Sequence, residues 1–276
     1  MQTKSGKAIH PIGIGTWAIS SQATTQDTKY RGVVPVNGKE ESEIEALRYS
    51  LSKGQNHIDC AEMYGGFYTD EVVGRALKGV NRKDLFIADK LWKTSVENGK
   101  VRPTVEKMFA KLGIDYLDLL YIHYPWEDVS WQEAMPQIDE LIDEGLVRNF
   151  GVSNFTVADM LDVQKFAKHP IAANQMHFNV LYKAEVDKDF EKFCKQNAIQ
   201  IVAYRPVERG DVLKDGTILE IAKAHNATPA QISLAWLIAK GMLPIPKSTQ
   251  KSHIDENLGA LNVKLSDAEI ETLDKL

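Results

Sequence analysis

Short runs of nearly continuous apolar residues recur along the 276-residue chain and predict β-strands. Parallel strands buried on both faces have this composition, because neither face meets water. Eight runs are predicted as strands: Ile12–Thr16, His57–Ala61, Leu85–Lys90, Leu117–His123, Arg148–Val152, Ala172–Met176, Ile199–Tyr204 and Leu243–Pro246.

Stretches with apolar residues at helical spacing lie between most of these runs. Ile44, Leu47 and Leu51 fall on one face of a helix predicted over Glu41–Leu51. No helix is predicted between the second and third strands. Further helices are predicted over Val101–Leu112, Trp131–Asp143, Val157–Phe166, Asp187–Lys195, Leu219–Ala224, Ala230–Ala239 and Asp255–Leu261, and a capping box of Ser266 with Glu269 opens a last one.

The repeated alternation of strand and helix predicts an α/β fold with one parallel sheet, and eight units predict a (β/α)8 TIM barrel. No linker-like segment or shift of composition interrupts the chain, so we expect a single domain over residues 1–276. Residues 1–9 predict a short hairpin around Ser5 and Gly6 at the bottom of the barrel. A long polar loop is predicted from Ala18 to Gly38.

Composition narrows the classes of function. The formal net charge of -5 offers no basic excess for nucleic acid or an anionic membrane. No apolar run approaches the roughly 18 residues of a transmembrane helix, and the first residues lack the apolar run of a signal peptide. We therefore expect a cytoplasmic protein that acts on small molecules, with Cys60 and Cys194 as free thiols. No assembly element is evident, so a monomer is expected.

Four polar residues come at or just after the ends of three neighbouring predicted strands. Asp59 lies near the end of the second strand and Tyr64 follows it, while Lys90 and His123 end the third and fourth. Catalytic groups of barrels lie at the C-terminal ends of strands. Each residue alone also has a structural interpretation, such as a solvated strand end or a satisfied core histidine. Their joint placement favours a catalytic pocket.

Five segments, in order along essentially the whole chain, strongly resemble the motifs of the aldo-keto reductase family. They are His57–Gly65 (HIDCAEMYG), Lys90–Trp92, Leu119–His123, Gly151–Phe155 and Ile245–Ser248. The resemblance is to bacterial-type members such as 2,5-diketo-D-gluconate and methylglyoxal reductases. It implies NADPH-dependent reduction of aldehyde or ketone carbonyls to alcohols.

The resemblance also implies a catalytic tetrad of Asp59, Tyr64, Lys90 and His123. A carbonyl that receives hydride develops negative charge on oxygen and needs a proton, which Tyr64 would donate. Tyrosine is a weak acid with a pKa of about 10, so Lys90 is expected to lower that pKa. Asp59 would hold Lys90, and His123 would orient the carbonyl oxygen.

Cofactor contacts follow from the same resemblance. Ser153, Asn154 and Gln175 would bond the nicotinamide carboxamide, and Tyr204 would stack on the ring. At the adenosine end, Lys247 and Ser248 would take the 2′-phosphate, with Glu256 and Asn257 near the adenine. Trp17, Trp92 and Trp126 would line the substrate pocket.

Two residues depart from the family pattern. His253 stands where arginine is common, and a histidine with a pKa of about 6.5 carries little charge at neutral pH. NADH is therefore expected as a second cofactor, unless Lys251 compensates. Arg205 stands where serine is common, and would reach the pyrophosphate or pair with an acidic surface residue. The short loop from Val207 to Gly216 predicts an open cofactor site.

The sequence allows three other interpretations. Residues 13–18 formally match a dinucleotide fingerprint, but polar residues 20–25 follow where a helix is required, which excludes a Rossmann site. His57, Asp59, Cys60, Glu62 and His123 are residue types of metal hydrolases, but strand alternation puts Cys60 on the face opposite His57 and Asp59, so no metal is expected. A cofactor-sensing subunit of the same fold with slow turnover stays open as the alternative function.

Overall fold

The computed structural model describes residues 1–20, 38–96 and 99–276. Its strands form one parallel sheet in sequence order. They are β1 (Ile14–Gly15), β2 (His57–Asp59), β3 (Phe86–Leu91), β4 (Leu119–Ile122), β5 (Phe150–Ser153), β6 (Ile171–His177), β7 (Gln200–Tyr204) and β8 (Leu243–Pro244). All eight predicted strands are present, each within a few residues of its predicted ends.

Backbone hydrogen bonds join the first and last strands into a seam that closes the sheet. The amides of Gly13 and Gly15 donate to the carbonyl oxygens of Pro244 and Pro246 at 2.9 and 3.0 Å. A Cβ at Gly15 would lie 2.6 Å from the Ile245 carbonyl oxygen, so only glycine permits this approach. The predicted (β/α)8 barrel is confirmed. Gly13 and Gly15, the two glycines of the segment that resembles a dinucleotide fingerprint, therefore take part in closing the barrel. Residues 21–25, on which the exclusion of a Rossmann site also depends, lie outside the described residues.

The helices surround the barrel and bury their apolar faces against the outside of the strands. They are α1 (Glu40–Ser52), α2 (Thr69–Leu77), α3 (Lys93–Val96), α4 (Val101–Leu112), α5 (Trp131–Asp143), α6 (Val157–Gln164), α7 (Lys188–Gln196), α8 (Gly216–Ala224), α9 (Pro229–Ala239), α10 (Lys251–Gly259) and α11 (Asp267–Asp274). Every predicted helix is present, and α10 begins four residues earlier than predicted.

Helix α2 was not predicted, and its sequence explains why. Tyr68 precedes it and makes no side-chain capping bond, so the usual start signal is missing. Gly74, a weak helix former, lies within it. A Cβ there would lie 2.3 Å from the Lys111 carbonyl oxygen. The close packing of α2 on α4 therefore requires Gly74, and this same glycine weakens the helical pattern in the sequence.

Side chains alternate between the barrel interior and the helix layer. Ile58 and Cys60 pack into the outer apolar layer, whereas Phe86 and Tyr121 belong to a smaller cluster inside the barrel. The alternation expected for Cys60 is thus observed, and both cysteines are buried free thiols.

The predicted N-terminal hairpin is present at the bottom of the barrel. Gln2 and Ala8 form an antiparallel bridge. The Ser5 amide donates to the Lys83 carbonyl oxygen at 2.9 Å, just before β3 begins. Of the predicted loop from Ala18 to Gly38, residues 21–37 lie outside the described residues. Within the described ranges, no helix combines the length and apolar character needed to cross a membrane.

Candidate active site

The four candidate catalytic residues meet at the C-terminal mouth of the barrel. Asp59 ends β2, Tyr64 opens a single 3-10 turn after it, Lys90 lies in β3 and His123 directly follows β4. Asp59, Tyr64 and His123 line a cavity of about 490 Å³. Lys90 is fully buried beneath that surface.

Lys90 forms the centre of the buried polar network. Its Nζ donates to Asp59 Oδ2 at 2.7 Å and to the Cys60 carbonyl oxygen at 2.6 Å. A longer contact of 3.4 Å joins Nζ to Tyr64 Oη. Burial opposes the charge on Lys90, but the negative charge of Asp59 and the contact with Tyr64 raise its pKa above the ordinary value. Lys90 is therefore a cation at neutral pH.

Asp59 is held from a second side. Its Oδ1 accepts a hydrogen bond of 2.6 Å from Gln175 Nε2 on β6. The carboxylate is only 2% exposed, and both its oxygens are engaged by Lys90 and Gln175. This fixes its orientation toward Lys90. Gln175 was predicted only as a carboxamide contact, so its bond to Asp59 is an addition from the structure.

The phenol of Tyr64 is less acidic than the sequence suggested. Burial raises the pKa of Tyr64 to about 12, although the Lys90 cation pulls it down. The expected lowering by Lys90 is thus present but smaller than the effect of burial. Because the pKa lies far above 7, the hydroxyl is protonated at neutral pH. A protonated phenol is the form required of a proton donor.

The imidazole of His123 is neutral. Burial, with the nearby Lys90 cation, holds the pKa of His123 well below its ordinary value. Its ring meets the Tyr64 ring edge-on at 6.1 Å between centroids and the Trp92 ring at 5.4 Å. It also stacks on Tyr124 at 5.1 Å. A neutral imidazole fixed by three rings can donate or accept a hydrogen bond within the cavity.

The predicted nicotinamide contacts form a connected group on the cavity wall. Asn154 Nδ2 donates to Ser153 Oγ at 3.0 Å and to the His123 carbonyl oxygen at 3.2 Å. Tyr204 Oη donates to Asn154 Oδ1 at 2.9 Å. Ser153, Asn154, Gln175 and Tyr204 all line the same cavity as Tyr64.

The predicted adenosine contacts divide into two groups. Arg205 and Lys247 line the cavity. The remaining residues do not, and lie in the β8–α10 connection and on α10: Ser248, His253, Glu256 and Asn257. Ser248 Oγ donates to the Gln250 carbonyl oxygen at 3.1 Å.

The three predicted substrate-pocket tryptophans are also divided. Trp17 and Trp92 line the cavity. Trp126 lines an adjoining cavity instead and meets the Trp92 ring edge-on at 5.5 Å between centroids.

Several residues around the cavity were not predicted. The Arg209 guanidinium lies 5.2 Å from the centre of the Trp17 ring, and both residues line the cavity. His177 stacks on Tyr204 at 5.2 Å, and its Nε2 lies 2.6 Å from Glu208 Oε2. His177 had an available signal, because it falls two residues after Gln175 on the same face of a strand. Glu208 and Arg209 lie in the 3-10 segment Glu208–Leu213, inside the connection predicted as a loop, and no sequence pattern indicates their positions.

The charge and side-chain chemistry of the cavity lining fit a dinucleotide phosphate cofactor. Arg205, Arg209 and Lys247 bring three cationic side chains to the cavity wall, suited to phosphate groups. The Tyr204 ring and the Asn154 amide offer stacking and hydrogen bonding to a nicotinamide. Among the described residues, no group of three or more histidine, cysteine, aspartate or glutamate side chains is arranged to hold a metal ion.

Comparison with known proteins places this chain among the oxidoreductases that reduce carbonyl groups. Residues 11–276 match the sequence model of the Aldo/keto reductase family, and the chain belongs to this family. It is 31% identical over 282 residues to methylglyoxal reductase YeaE of Escherichia coli K12, covering 100% of the chain and 93% of that relative. It is 35% identical over 236 residues to methylglyoxal reductase DkgB of Escherichia coli O157:H7, covering 84% and 86%.

Solved structures agree with this assignment. The thermostable aldo-keto reductase Tm1743, in complex with the inhibitor epalrestat, superposes with a TM-score of 0.89 at 34% identity, covering 100% of this chain and 98% of that one. The aldo-keto reductase of Klebsiella pneumoniae, in complex with NADPH, gives a TM-score of 0.86 at 29% identity over 99% and 93%. NADPH is the cofactor of the family.

Proposed function

We propose that the chain, as one domain over residues 1–276, reduces aldehyde or ketone carbonyls to alcohols with NADPH, and that Tyr64 is the general acid. The supporting observation is the 3.4 Å contact between Tyr64 Oη and a fully buried lysine ammonium at the cavity floor. NADPH, when bound, supplies the hydride. Tyr64 supplies the proton that the carbonyl oxygen then needs.

The other network members support this proton transfer. Lys90 stabilises the phenolate that forms as the proton leaves, because its buried cation is held 3.4 Å from the hydroxyl, where the local dielectric constant is low. Asp59 balances that charge and fixes the ammonium. His123, neutral and packed between rings, positions the carbonyl oxygen near Tyr64 Oη. Trp17 and Trp92 narrow the cavity and limit water.

The cofactor would be held by the residues already predicted for it. Ser153, Asn154 and Gln175 would orient the carboxamide, with Tyr204 stacked on the ring. Arg205 and Lys247 would bind phosphate groups from the cavity wall. The outer residues of the adenosine end would be Ser248, His253, Glu256 and Asn257. The exposed His253 still favours partial use of NADH, which the ratio of kcat/KM for NADPH and NADH would measure.

Small aldehydes and dicarbonyls are the proposed substrates. The cavity of about 490 Å³ is shared between nicotinamide and substrate, which suits a small carbonyl compound. Two relatives that cover most of this chain are named methylglyoxal reductases. A monomer is proposed because the sequence contains no evident assembly element. A cytoplasmic location is proposed on the sequence alone.

A matched pair of variants tests the general acid. Tyr64→Phe should bind NADPH within about twofold of wild type and lose roughly 10²–10⁴-fold in kcat, the usual contribution of a positioned acid. Tyr124→Phe makes the same change in the same cavity and should lose only a few-fold. Steady-state NADPH oxidation with methylglyoxal measures both. Undiminished turnover in Tyr64→Phe, or equal losses in the two variants, would remove Tyr64 from this role.

A further inference from the structure

A second cavity of about 1230 Å³ adjoins the proposed carbonyl site. Trp92, Tyr124, Asn154 and Tyr204 line both cavities, so the two share a boundary. A substrate whose carbonyl reaches Tyr64 can extend past these side chains into the second cavity. This space is therefore placed to take the part of a substrate distal to its carbonyl group.

The wall of the second cavity is largely aromatic. Trp126 packs edge-on against Trp92 at 5.5 Å. Phe190 and Phe193 of α7 line the same space, with Val157 from the start of α6. Such surfaces bury apolar rings, and the faces of tryptophan rings also attract cations.

The charged groups of this cavity are all acidic. The segment from β6 to α7 contributes Glu185, Asp187 and Asp189, and the described part of the lining contains no lysine, arginine or histidine. Arg205, in contrast, lines the first cavity. The distal end of the combined space is therefore negative, while its proposed cofactor end is positive.

Two of these carboxylates have defined positions. Asp187 caps α7 and accepts the Phe190 amide at 2.8 Å. Burial raises the pKa of Tyr204; the negative charge of Glu185 adds to that effect and the Arg205 cation opposes it, so both charges lie near the boundary between the cavities. The positive end of the α7 dipole also points here, but it amounts to only about half a charge. Three carboxylates outweigh this half charge and the Arg205 cation together.

We propose that the second cavity binds the distal part of the carbonyl substrate and selects substrates with a distal cation, such as a substituted ammonium group, over those with a carboxylate. The aromatic wall would take the connecting apolar portion, and the acidic segment the cation. This inference rests on the proposed reductase function and adds to it a class of substrate.

Three matched aldehydes test the selection. Benzaldehydes carrying a para trimethylammoniomethyl, neopentyl or carboxymethyl group have similar size, and the methylene spacer limits electronic effects on the carbonyl. At low salt, kcat/KM should be about tenfold higher for the cation than for the carboxylate, with the neutral compound between them. The ratio should shrink in 0.5 M salt, because these carboxylates are exposed and screened.

Two double variants assign the selection to the cavity. Glu185→Gln/Asp189→Asn should lower the cation-to-carboxylate ratio at least about threefold. Glu220→Gln/Glu271→Gln removes the same charge from exposed positions on α8 and α11 and should leave the ratio unchanged. A wild-type ratio at or below one, or one that the first double variant does not alter, would overturn the proposal.

A binding measurement separates this inference from the reductase function. Trp92 and Trp126 line the cavity, so their fluorescence should report benzyltrimethylammonium more tightly bound than phenylacetate. Turnover of the neutral aldehyde without charge preference would reject the inference alone. Preferential binding of the ammonium without turnover of any aldehyde would reject the reductase function and keep the acidic site, whereas equal binding would reject the site as well.

Discussion

The buried pair of Lys90 and Asp59 can be tested by a double-mutant cycle on stability. Lys90 is fully buried and Asp59 is 2% exposed, with 2.7 Å between their charged atoms. Lys90→Met leaves the Asp59 carboxylate with Gln175 as its remaining partner in the network. Asp59→Asn leaves the ammonium with the Cys60 carbonyl oxygen and the Tyr64 hydroxyl. Each single variant thus leaves an uncompensated charge inside the protein.

The expected magnitudes follow from that geometry. Removing one partner of a buried ion pair costs about 3–5 kcal/mol of unfolding free energy, because the other charge stays without water. Removing both charges together avoids this cost, and an asparagine at position 59 can still accept from Gln175. The double variant should therefore cost about 2 kcal/mol or less. The coupling free energy should then be several kcal/mol.

Thermal and urea unfolding at pH 7 measure the cycle. For a chain of this size, each kcal/mol lowers Tm by roughly 2–4 °C, so each single variant should lose roughly 6–20 °C. The exposed ion pair of Lys93 and Asp128 is the control, and its cycle should give a coupling of about 0–1 kcal/mol. If the losses at Lys90 and Asp59 simply add, the pair does not act as a buried unit and the reasoning is wrong.

Two further predictions concern stability. Burial raises the pKa of Glu62 to about 7, so the folded state holds this proton more tightly than the unfolded state and loses stability as pH rises from about 4.5 to 7. In urea unfolding, the unfolding free energy of Glu62→Gln relative to wild type should therefore rise by about 2–3 kcal/mol between pH 4.5 and 8. A difference between the two proteins that stays constant with pH would contradict this. Gly15→Ala should lower the unfolding free energy by about 1–3 kcal/mol through overpacking, because its Cβ would lie 2.6 Å from the Ile245 carbonyl oxygen. In the control Gly216→Ala, the new Cβ meets no atom within 4 Å, so the unfolding free energy should not change. Equal Tm shifts for the two alanine variants would rule out that explanation.

Alternation of apolar strands with helical periodicity was sufficient to predict the barrel. Parallel strands covered by helices are buried on both faces, so they appear in the sequence as nearly continuous apolar runs. The C-terminal end of each run then indicates the catalytic face of the barrel. Asp59, Lys90 and His123 could be grouped for this reason before any coordinates. Helix α2 could not be predicted from the sequence, because its packing requires Gly74 and its start lacks a capping side chain.

Properties that depend on burial or loop geometry were beyond the sequence. The pKa of Tyr64 is set by desolvation, which raises it, and by the Lys90 cation, which lowers it. Only the effect of Lys90 could be predicted from the sequence. Trp126 faces the adjoining cavity because of the path of the loop after β4. Arg209 contacts Trp17 from the 3-10 segment that follows β7, and no periodic pattern predicts such a contact.

The seam between Gly15 and Pro246 links the order of folding to cofactor binding. It joins residues near opposite ends of the chain, so it carries a large loop-closure entropy and is expected to form late. Lys247 directly follows the seam and reaches the cavity only when the last strand is docked. A ligand that binds Lys247 therefore binds the closed barrel and not an open one. By mass action, the proposed cofactor would stabilise the closed barrel relative to a state in which the last strand is not docked.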